Sequence, residues 1–546
     1  MTEPRIAMAA TGALREFNAA GVLAPADVHV ARRLAELAGE RDERVLLAAA
    51  LAVRGPRLGS VFVDLETIHE TATADVDEPV DVAALPWPDR AGWAPAVEVS
   101  PLQGADRPLR LEGSALYLDR YWREEVRLAA DLRALRDAPP VDGPPLALDR
   151  LTDSRQRLAA ETALRRRFTV VAGGPGTGKT RTVAQIVALL REQDPRRLIA
   201  LAAPTAVAAD RMTQAVKAAG HDLEGQTLHR LLGWKPRTRS RFRHDRGNRL
   251  PHDVVIVDET SMVGLWQMAR LVEAIRPGAR LILVGDPDQL APIEAGVVLG
   301  DIAAAGGDAV VELEEVYRYD ERIGRVAEAI RAGDADAVID ALGGVRWLDD
   351  PDGALDPVRE RAEATAREVT AAARAGDARA AIGALGAFRL LCAHRRGPYG
   401  VTAWTARIED WIGHGGAEWY AGRPLLVTRN DYSLRLFNGD TGVVVEREPG
   451  LLLAAFERAE VSPMRLAAVE TLYAMTVHKA QGSQFRTAAV VLPEAGSQLL
   501  TRELLYTAVT RAQEELIVVG AEETIRAAVA RRAVRASGLR ARLAQA

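Results

Sequence analysis

The chain has 546 residues, enough for three or four domains of roughly 150 residues each. Its 48% hydrophobic and 27% charged residues are typical of a globular protein, and a net charge of −5 means that any contact with nucleic acid must come from local basic patches. The single cysteine, Cys392, excludes internal disulfides. Since no signal peptide and no membrane-length apolar run is found, we expect a cytoplasmic protein without membrane contact.

Residues 1–137 are predicted to form a separate, mixed N-terminal domain. Helical patterns at 28–37 and 45–53 come first, an acidic segment with proline follows, and an aromatic-rich stretch lies near 116–122. No catalytic group of residues is found here. The Pro- and Gly-rich segment 138–146 breaks both helix and strand, and we interpret it as a linker.

Residues 147–318 alternate apolar, β-branched runs with helical stretches. Runs of four to six such residues are typical of buried parallel strands. The alternation predicts a doubly wound α/β domain that binds ligands at the carboxyl ends of its strands. The predicted strands are 168–172, 198–202, 254–257 and 281–284.

A phosphate-binding loop follows the first of these strands and opens a helix, as the G-x-x-x-x-G-K-[ST] motif requires. Its backbone N–H groups and the helix N-terminus are expected to bind the phosphates of ATP. Lys179 is expected to reach the β- and γ-phosphates, and the Thr180 hydroxyl to hold Mg²⁺. The loop consists of Gly173, Gly174, Pro175, Gly176, Thr177, Gly178, Lys179 and Thr180.

Two further elements of the nucleotide site end predicted strands. Asp258 and Glu259 follow the run 254–257, where Asp258 would bind Mg²⁺ and Glu259 would orient and deprotonate the attacking water. Gln289 follows the next strand, and its amide could hydrogen-bond the γ-phosphate and report its presence. An ordinary polar loop is the alternative for Gln289. Together with the phosphate loop, these residues predict an ATP-hydrolysing enzyme.

A basic segment at about 234–250 interrupts this domain. It holds seven Lys or Arg residues against one Asp, with Phe242 among them. This composition suits a hairpin that meets DNA phosphates and a duplex junction, with Arg239, Arg241 and Arg243 as candidate contacts. A solvated, charged loop is the alternative.

Residues 319–546 are predicted to form a second α/β domain that contains a small antiparallel β insertion at about 423–470. The Ala- and Arg-rich stretch 353–386 is predicted to be helical, and apolar runs at 487–492 and 516–519 predict buried strands. The predicted strands of the insertion are 424–427, 442–445 and 451–455, separated by turn signals such as Asn438-Gly439.

Beyond the nucleotide motifs, several segments resemble the motifs of superfamily 1 helicases. They are 151–156, 203–206, 227–231, 317–318, 474–483 and 505–512. The resemblance implies an α/β fold with two RecA-like P-loop NTPase domains that close over one nucleotide, with a small SH3-like β insertion in the second.

The same resemblance assigns roles to individual residues. Gln156 would read the adenine base, and Arg318 and Arg511 would act as arginine fingers that stabilise transition-state charge. For Arg318 an ordinary surface arginine is the alternative. The implied DNA-binding residues are Pro204, Thr205, His229, Thr476, His478, Lys479 and Gln481.

Within this superfamily the chain is similar to the RecD family, the alpha subunits of exodeoxyribonuclease V. The likeness is carried by 389–393, 396–401, 423–425 and 436–442, with a departure at Gln484 where an acidic residue is expected. It implies 5′-to-3′ translocation on single-stranded DNA, processing of duplex ends for recombinational repair, and assembly of the N-terminal domain with RecB-like and RecC-like subunits. A free-standing helicase and a regulatory ATPase subunit are the alternatives. With only four lysines, we expect no nuclease site in this chain.

Overall fold

The computed structural model contains an N-terminal module, two α/β domains and a β insertion. No helix in the part of the chain that it describes is long and apolar enough to cross a bilayer. The described residues are 6–8, 10–74, 80–141, 148, 151–235, 238, 241–315, 320–350, 353, 355–414, 416, 418–431 and 433–545.

The N-terminal module packs six helices around a three-stranded antiparallel sheet of order β1-β3-β2. The helical patterns at 28–37 and 45–53 are confirmed as parts of α2 and α3. Asp42 caps α3 by accepting from the Arg44 N–H, and Leu47 and Leu51 of α3 are fully buried. The elements are α1 (Gly12–Ala19), α2 (Pro25–Ala38), α3 (Glu43–Arg57), β1 (Phe62–Asp64), α4 (Ile68–Thr71), α5 (Arg90–Glu98), β2 (Leu109–Glu112), β3 (Ala115–Leu118) and α6 (Asp119–Arg136).

The first α/β domain is built on a six-stranded, all-parallel sheet of order β6-β5-β7-β8-β4-β9. Its central strands are buried on both faces, which explains their continuous apolar sequences. The four predicted strands are confirmed within one residue at each end. The elements are α7 (Ser154–Arg165), β4 (Phe168–Gly173), α8 (Lys179–Gln193), β5 (Ile199–Ala203), α9 (Ala206–Ala218), β6 (Gly225–Thr227), α10 (Leu228–Leu231), β7 (Val254–Val257), α11 (Leu265–Ala274), β8 (Arg280–Gly285), α12 (Val298–Ala305) and β9 (Val310–Leu313).

The second α/β domain has a five-stranded parallel sheet of order β10-β19-β18-β11-β17. The predicted helical stretch 353–386 forms α15 and α16. The elements are α13 (Glu321–Ala332), α14 (Ala335–Leu342), β10 (Arg346–Leu348), α15 (Asp356–Arg374), α16 (Ala378–Ala384), β11 (Phe388–Cys392), α17 (Val401–Trp411), β17 (Ala474–Thr476), β18 (Phe485–Val491), α18 (Arg502–Val509), β19 (Ala512–Val519) and α19 (Glu522–Ala530).

The β insertion lies between α17 and β17, as the sequence predicts. It is an antiparallel sheet of order β15-β14-β13-β12-β16. The predicted turn at Asn438-Gly439 leads into its second strand, and Gly439 has a φ of +97°, a conformation that favours glycine. The strands are β12 (Pro424–Val427), β13 (Thr441–Glu448), β14 (Leu451–Phe456), β15 (Ala459–Val461) and β16 (Val469–Thr471).

Two helices at the ends of predicted domains also pack, or pack instead, on a neighbouring domain. Helix α6, predicted within the N-terminal domain, also packs on the first α/β domain, where Glu124 pairs with Arg270 at 2.8 Å. The last helix, α20 (Leu539–Ala544), was expected in the second α/β domain. Its Leu539 and Leu543 instead lie in one core with residues of α6 and α12. Because these leucines are buried there, the end of the chain packs outside the second α/β domain.

Candidate functional site

The phosphate loop connects the end of β4 to the start of α8. Gly176 and Gly178 both have a φ of +83°, which bends the loop in a way that favours glycine. The Lys179 Nζ donates to the main-chain oxygens of Gly173 at 2.6 Å and Gly174 at 2.8 Å. The lysine ammonium therefore lies against the turn that leads into the N-terminus of α8. This arrangement fits the phosphates of a nucleotide.

Beside the loop, the buried amide of Gln156 donates to the main-chain oxygen of Thr177 at 3.4 Å. Gln156 projects from α7, whose cap is Asp153. The structure thus places the predicted adenine-reading residue against the phosphate loop. The neighbouring Thr180 is the second residue of α8.

Asp258 and Glu259 lie at the carboxyl end of β7. The Glu259 N–H donates to Asp258 Oδ1 at 2.8 Å, and Glu259 has a φ of +51°, a strained conformation for a non-glycine residue. Burial, together with the adjacent Glu259, raises the pKa of Asp258 to about 7, against the opposing charges of Lys179 and Arg211. The oxygens of Asp258 and Thr180 are ligands of the type that Mg²⁺ prefers.

Arg211, on α9, was not singled out by the sequence analysis. Its charge acts on Asp258 and helps to keep that carboxyl ionised. Nothing in the local sequence distinguishes it from the other arginines of the chain, because its influence on Asp258 depends on how α9 packs on β5, the strand next to β7.

Gln289 lies in a buried polar group that reaches across the two α/β domains. Its Nε2 donates to Asp286 Oδ2 at 3.0 Å, while its Oε1 is buried and has no hydrogen-bond partner within the described residues. Tyr506, from α18 of the second domain, donates to the same Asp286 oxygen at 3.3 Å. A Cβ added at Gly174 would lie 2.9 Å from the Tyr506 hydroxyl, so the second domain reaches the phosphate loop here. The sequence analysis gave Tyr506 no role of its own.

The main chain of Leu290, next to Gln289, is held by two side chains of the second α/β domain. The Leu290 N–H donates to Thr507 Oγ1 at 2.8 Å, and Gln481 Nε2 donates to the Leu290 oxygen at 2.8 Å. Thr507 is fully buried and Gln481 is 7% exposed. We call these two hydrogen bonds the clamp. Gln481 was expected to contact DNA, but its amide nitrogen is occupied by this contact between domains.

Of the two predicted arginine fingers, only Arg511 belongs to the described part of the chain; Arg318 lies outside it. Arg511 is 2% exposed, and it donates to the main-chain oxygens of Thr507 at 3.0 Å and Ser483 at 3.2 Å. All these partners belong to the second α/β domain. In this structure the guanidinium is therefore held within its own domain, beneath the clamp.

Candidate DNA-binding residues from the two α/β domains come together at the carboxyl ends of the sheets. Pro204 and Thr205 follow β5, and a Cβ added at Gly482 would lie 3.6 Å from Thr205 Oγ1. Thr476 ends β17, and its hydroxyl accepts from the Lys479 N–H at 3.3 Å. Segments predicted to bind DNA from both domains thus border one another.

The charged residues of the 474–483 segment are engaged within the second domain. Lys479 pairs with Glu470 at 3.3 Å, and Glu470 also pairs with Arg395. His478 is partly buried, and burial followed by the charge of Arg535 lowers its pKa. His478 is therefore neutral at physiological pH in this arrangement.

The basic segment near 234–250 forms a short antiparallel hairpin over its described residues, with Trp234 opposite Phe242. Arg241 and Arg243 are exposed, and Arg239 lies outside the described residues. Phe242 is 5% exposed, and its ring lies 5.3 Å from that of Trp234, 5.4 Å from Trp266 and 5.9 Å from His229. The aromatic residue of the hairpin that was predicted to meet a duplex junction is therefore buried, because Phe242 anchors the hairpin in the core.

A phosphate loop, a paired carboxylate strand end and a second parallel-sheet domain that reaches the same loop define a nucleotide-binding P-loop motor. Three family models match the chain. From the N-terminus they are the N-terminal domain of RecBCD enzyme subunit RecD at 19–117, the AAA domain at 151–350 and the UvrD-like helicase C-terminal domain at 471–519.

Full-length relatives identify the family. The chain is 51% identical to the RecBCD enzyme subunit RecD of Mycobacterium tuberculosis (strain ATCC 25618 / H37Rv), over 100% of this chain and 99% of that protein. It is 50% identical to the protein of the same name from Mycolicibacterium smegmatis, over 96% and 98%. The chain belongs to the RecD family of superfamily 1 helicases, and it is an ATP-dependent DNA helicase.

More distant proteins are also similar. The ATP-dependent RecD2 DNA helicase of Deinococcus radiodurans is 33% identical over 80% of this chain and 60% of that protein. A crystal structure of Bacteroides Pif1 bound to ssDNA aligns with a TM-score of 0.41 at 18% identity, over 67% of this chain and 92% of that chain. The assignment to the family depends on the full-length relatives and not on this alignment.

Proposed function

We propose that this helicase moves along single-stranded DNA, in the 5′-to-3′ direction, as the motor subunit of a complex that processes duplex DNA ends for recombinational repair. The observation that carries the motor part of the proposal is that Gln289, at the nucleotide site, directly precedes Leu290, which two side chains of the second α/β domain hold. Adjacent residues of one loop thus belong to the nucleotide site and to the interface between the domains.

In the hydrolysis step, Lys179 turns from the loop oxygens to the β- and γ-phosphates of ATP. Thr180 and Asp258 would hold a magnesium ion, which would supply positive charge to offset the charge on the phosphate oxygens. Glu259 orients the attacking water and accepts its proton. Its left-handed backbone, at the end of β7, is a strained conformation of the kind that clusters at active sites.

Coupling follows from the amide nitrogen of Gln289, which donates to Asp286, and from the clamp. The Gln289 Nε2 can exchange its hydrogen bond to Asp286 for one to a γ-phosphate, because both offer an oxygen acceptor. Few other partners are available in this buried polar group. Any shift of Gln289 moves Leu290, and the clamp passes that movement to Gln481 and Thr507. Arg511, held to Thr507, reaches the transition state in this scheme only when the domains close further.

The proposed DNA track runs along the carboxyl ends of both sheets. Neutral and cationic groups from the two domains border it, and the exposed arginines of the hairpin extend it towards the duplex. Loss of the clamp would uncouple the two halves of this track. The residues are Pro204, Thr205, His229, Arg241, Arg243, Thr476, His478 and Lys479, with Arg239 predicted from the sequence alone.

The relatives' names include that of the RecBCD enzyme, and we propose that this chain assembles with RecB-like and RecC-like subunits. The N-terminal module is the proposed contact region, because it holds none of the proposed nucleotide or DNA residues. Purification of the tagged chain from its native cell, followed by mass identification, tests this. Two larger companions are expected, whereas recovery of the chain alone would make it a free-standing helicase.

The nucleotide proposal is tested by Lys179→Gln, with Lys217→Gln as the matched control. Lys217 is an exposed lysine of α9 that pairs with Asp222 and Glu224. Lys179→Gln is expected to abolish ATP hydrolysis and unwinding of 5′-tailed duplexes without changing the melting temperature, and Lys217→Gln to behave as wild type. A folded Lys179→Gln protein with normal turnover would overturn the proposed nucleotide site.

A further inference from the structure

The chain leaves the second α/β domain after α19 and crosses to the N-terminal module within a few residues. On the near side, Arg502 N–H donates to the Arg531 oxygen at 2.8 Å, and Ala533 N–H donates to Glu503 Oε2 at 2.9 Å. On the far side, Val61 N–H donates to the Ala536 oxygen at 2.7 Å. We call residues 531–545 the strap. Three residues span at most roughly 10 Å, so the strap has little slack.

The far end of the strap is fixed by a buried charge. Glu125 of α6 is fully buried, and it accepts from the Gly538 N–H at 2.9 Å, the Ser537 hydroxyl at 3.2 Å and Arg542 Nε at 2.9 Å. Arg542 also pairs with Glu112. Because release would leave the buried Glu125 with only the Tyr117 hydroxyl as a donor, at 3.3 Å, this end stays in place.

The middle of the strap touches the loop that carries the clamp. Arg535 donates to the main-chain oxygens of Pro292 and Glu294, which follow Gln289 and Leu290 in the same loop. Its guanidinium lies over Gly59 of the N-terminal module, where an added Cβ would come within 2.7 Å of the Arg535 Cζ. The Gly296 N–H donates to the Gly59 oxygen at 2.9 Å. Arg535 therefore joins the sensor loop (residues 289–296), the strap and the module.

We propose that Arg535 is a positioning residue for ATP hydrolysis, which holds the sensor loop against the N-terminal module so that Gln289 responds to the nucleotide. The second α/β domain turns about the strap in this proposal. It moves only slightly near Arg535, whereas its contact with the first α/β domain at the clamp opens and closes. This inference rests on the proposed role of Gln289.

The test compares Arg535→Ala, Arg535→Lys and, as a matched control, Arg540→Ala in the full-length chain. Arg540 is an exposed arginine of the same strap. In Arg535→Ala we expect hydrogen exchange of the 293–296 amides to accelerate roughly tenfold or more, since two charge-assisted hydrogen bonds are lost, while exchange in the phosphate loop is unchanged. Arg535→Lys should recover most of the protection, because an ammonium can reach both oxygens.

Turnover is measured below the lowest melting temperature of the set. In Arg535→Ala we expect kcat with saturating single-stranded DNA to fall roughly tenfold and KM for ATP to change by less than about twofold, because the phosphate loop is untouched. Arg540→Ala should match wild type. A purely structural strap would lower only the melting temperature, so wild-type exchange and kcat in folded Arg535→Ala would overturn the proposal.

Gly59→Ala provides a second route if Arg535→Ala does not fold. The added methyl group meets the guanidinium, and at a φ of +88° it also strains the Gly59 backbone, whose oxygen accepts from the Gly296 N–H. Both effects should accelerate exchange of the same amides. A folded Gly59→Ala protein with a protected sensor loop would also contradict the proposal. The exchange result is independent of turnover, so failure of the nucleotide site in the Lys179→Gln test remains distinguishable from failure of this inference.

Discussion

The clamp and the far end of the strap are both buried junctions between distant parts of the chain, but they are built from different chemistry. The clamp uses two neutral hydrogen bonds to the main chain of Leu290. The strap uses an ion pair between Arg542 and the fully buried Glu125, together with two further donors to that carboxylate. Ion pairs between the α/β domains, such as Arg458 with Asp210, lie at the exposed rim.

The difference matches what each junction must do. A neutral hydrogen bond contributes about 0.5–1.5 kcal/mol net, so it can be broken and remade in every cycle at small cost. Removing one partner of a buried ion pair costs about 3–5 kcal/mol, because the other charge stays buried. In the proposed motor, weak, exchangeable contacts thus lie where the domains move and strong, charged contacts lie where they do not.

The largest expected effect comes from breaking the charged junction. We expect Glu125→Ala to lower the free energy of unfolding by about 3–5 kcal/mol, since Arg542 keeps only Glu112 and the Gly538 N–H and Tyr117 hydroxyl lose their acceptor. The measurement is urea unfolding, with Glu98→Ala, an exposed glutamate of α5, as control.

The double variant Glu125→Gln with Arg542→Met removes both charges, and it should recover most of the loss in stability. If Glu125→Ala lowered the free energy of unfolding by less than about 1 kcal/mol, the junction would be held by burial of Leu539 and Leu543 and not by charge.

A smaller effect is expected at Asp301 of α12, beside the strap. Its Oδ2 is buried without a partner among the described residues, and burial, with a minor contribution from Glu125, raises its pKa to about 6 against a hydrogen bond from Ser537. Because the folded state holds this proton more tightly than the unfolded state, the contribution of Asp301 to stability is greatest below about pH 4 and is lost as pH rises through about 6.

Asp301→Asn should remove that pH dependence and raise the free energy of unfolding at pH 7.5 by on the order of 2 kcal/mol. Urea unfolding of wild type and variant between about pH 4 and pH 7.5 measures it. Identical pH profiles for the two proteins would show that Asp301 is ionised throughout in the folded state.

The parts of the molecule that could be predicted from sequence are those with local signatures. Strands β4, β7 and β8 are buried on both faces, so each is a continuous apolar run, and the phosphate loop is a contiguous motif between strand and helix. The β insertion was found from its turns, because a turn such as Asn438-Gly439 needs particular residues.

Both junctions, by contrast, depend on contacts that no local pattern marks. Gln481 and Leu290 are 191 residues apart, and Arg542 and Glu125 are 417 apart. Glu125 sits in a helix rich in charged residues, where nothing distinguishes a buried glutamate from an exposed one. The burial of Phe242 was likewise not predicted, because its basic neighbours suggested an exposed segment, whereas its ring lies in the core.

The smallest effect on stability, and the sharpest test of the comparison, is expected at the clamp. Thr507→Val removes the oxygen that accepts from the Leu290 N–H with almost no change in shape, so unfolding should become easier by only about 1 kcal/mol. If the clamp passes movement between the domains, stimulation of ATP turnover by single-stranded DNA should nevertheless fall strongly, while Thr507→Ser, which keeps the acceptor, should retain it. The ratio of turnover with and without DNA measures this. Full stimulation in Thr507→Val would mean that the neutral junction is only a place where the domains touch, and that the Tyr506–Asp286 contact carries the coupling instead.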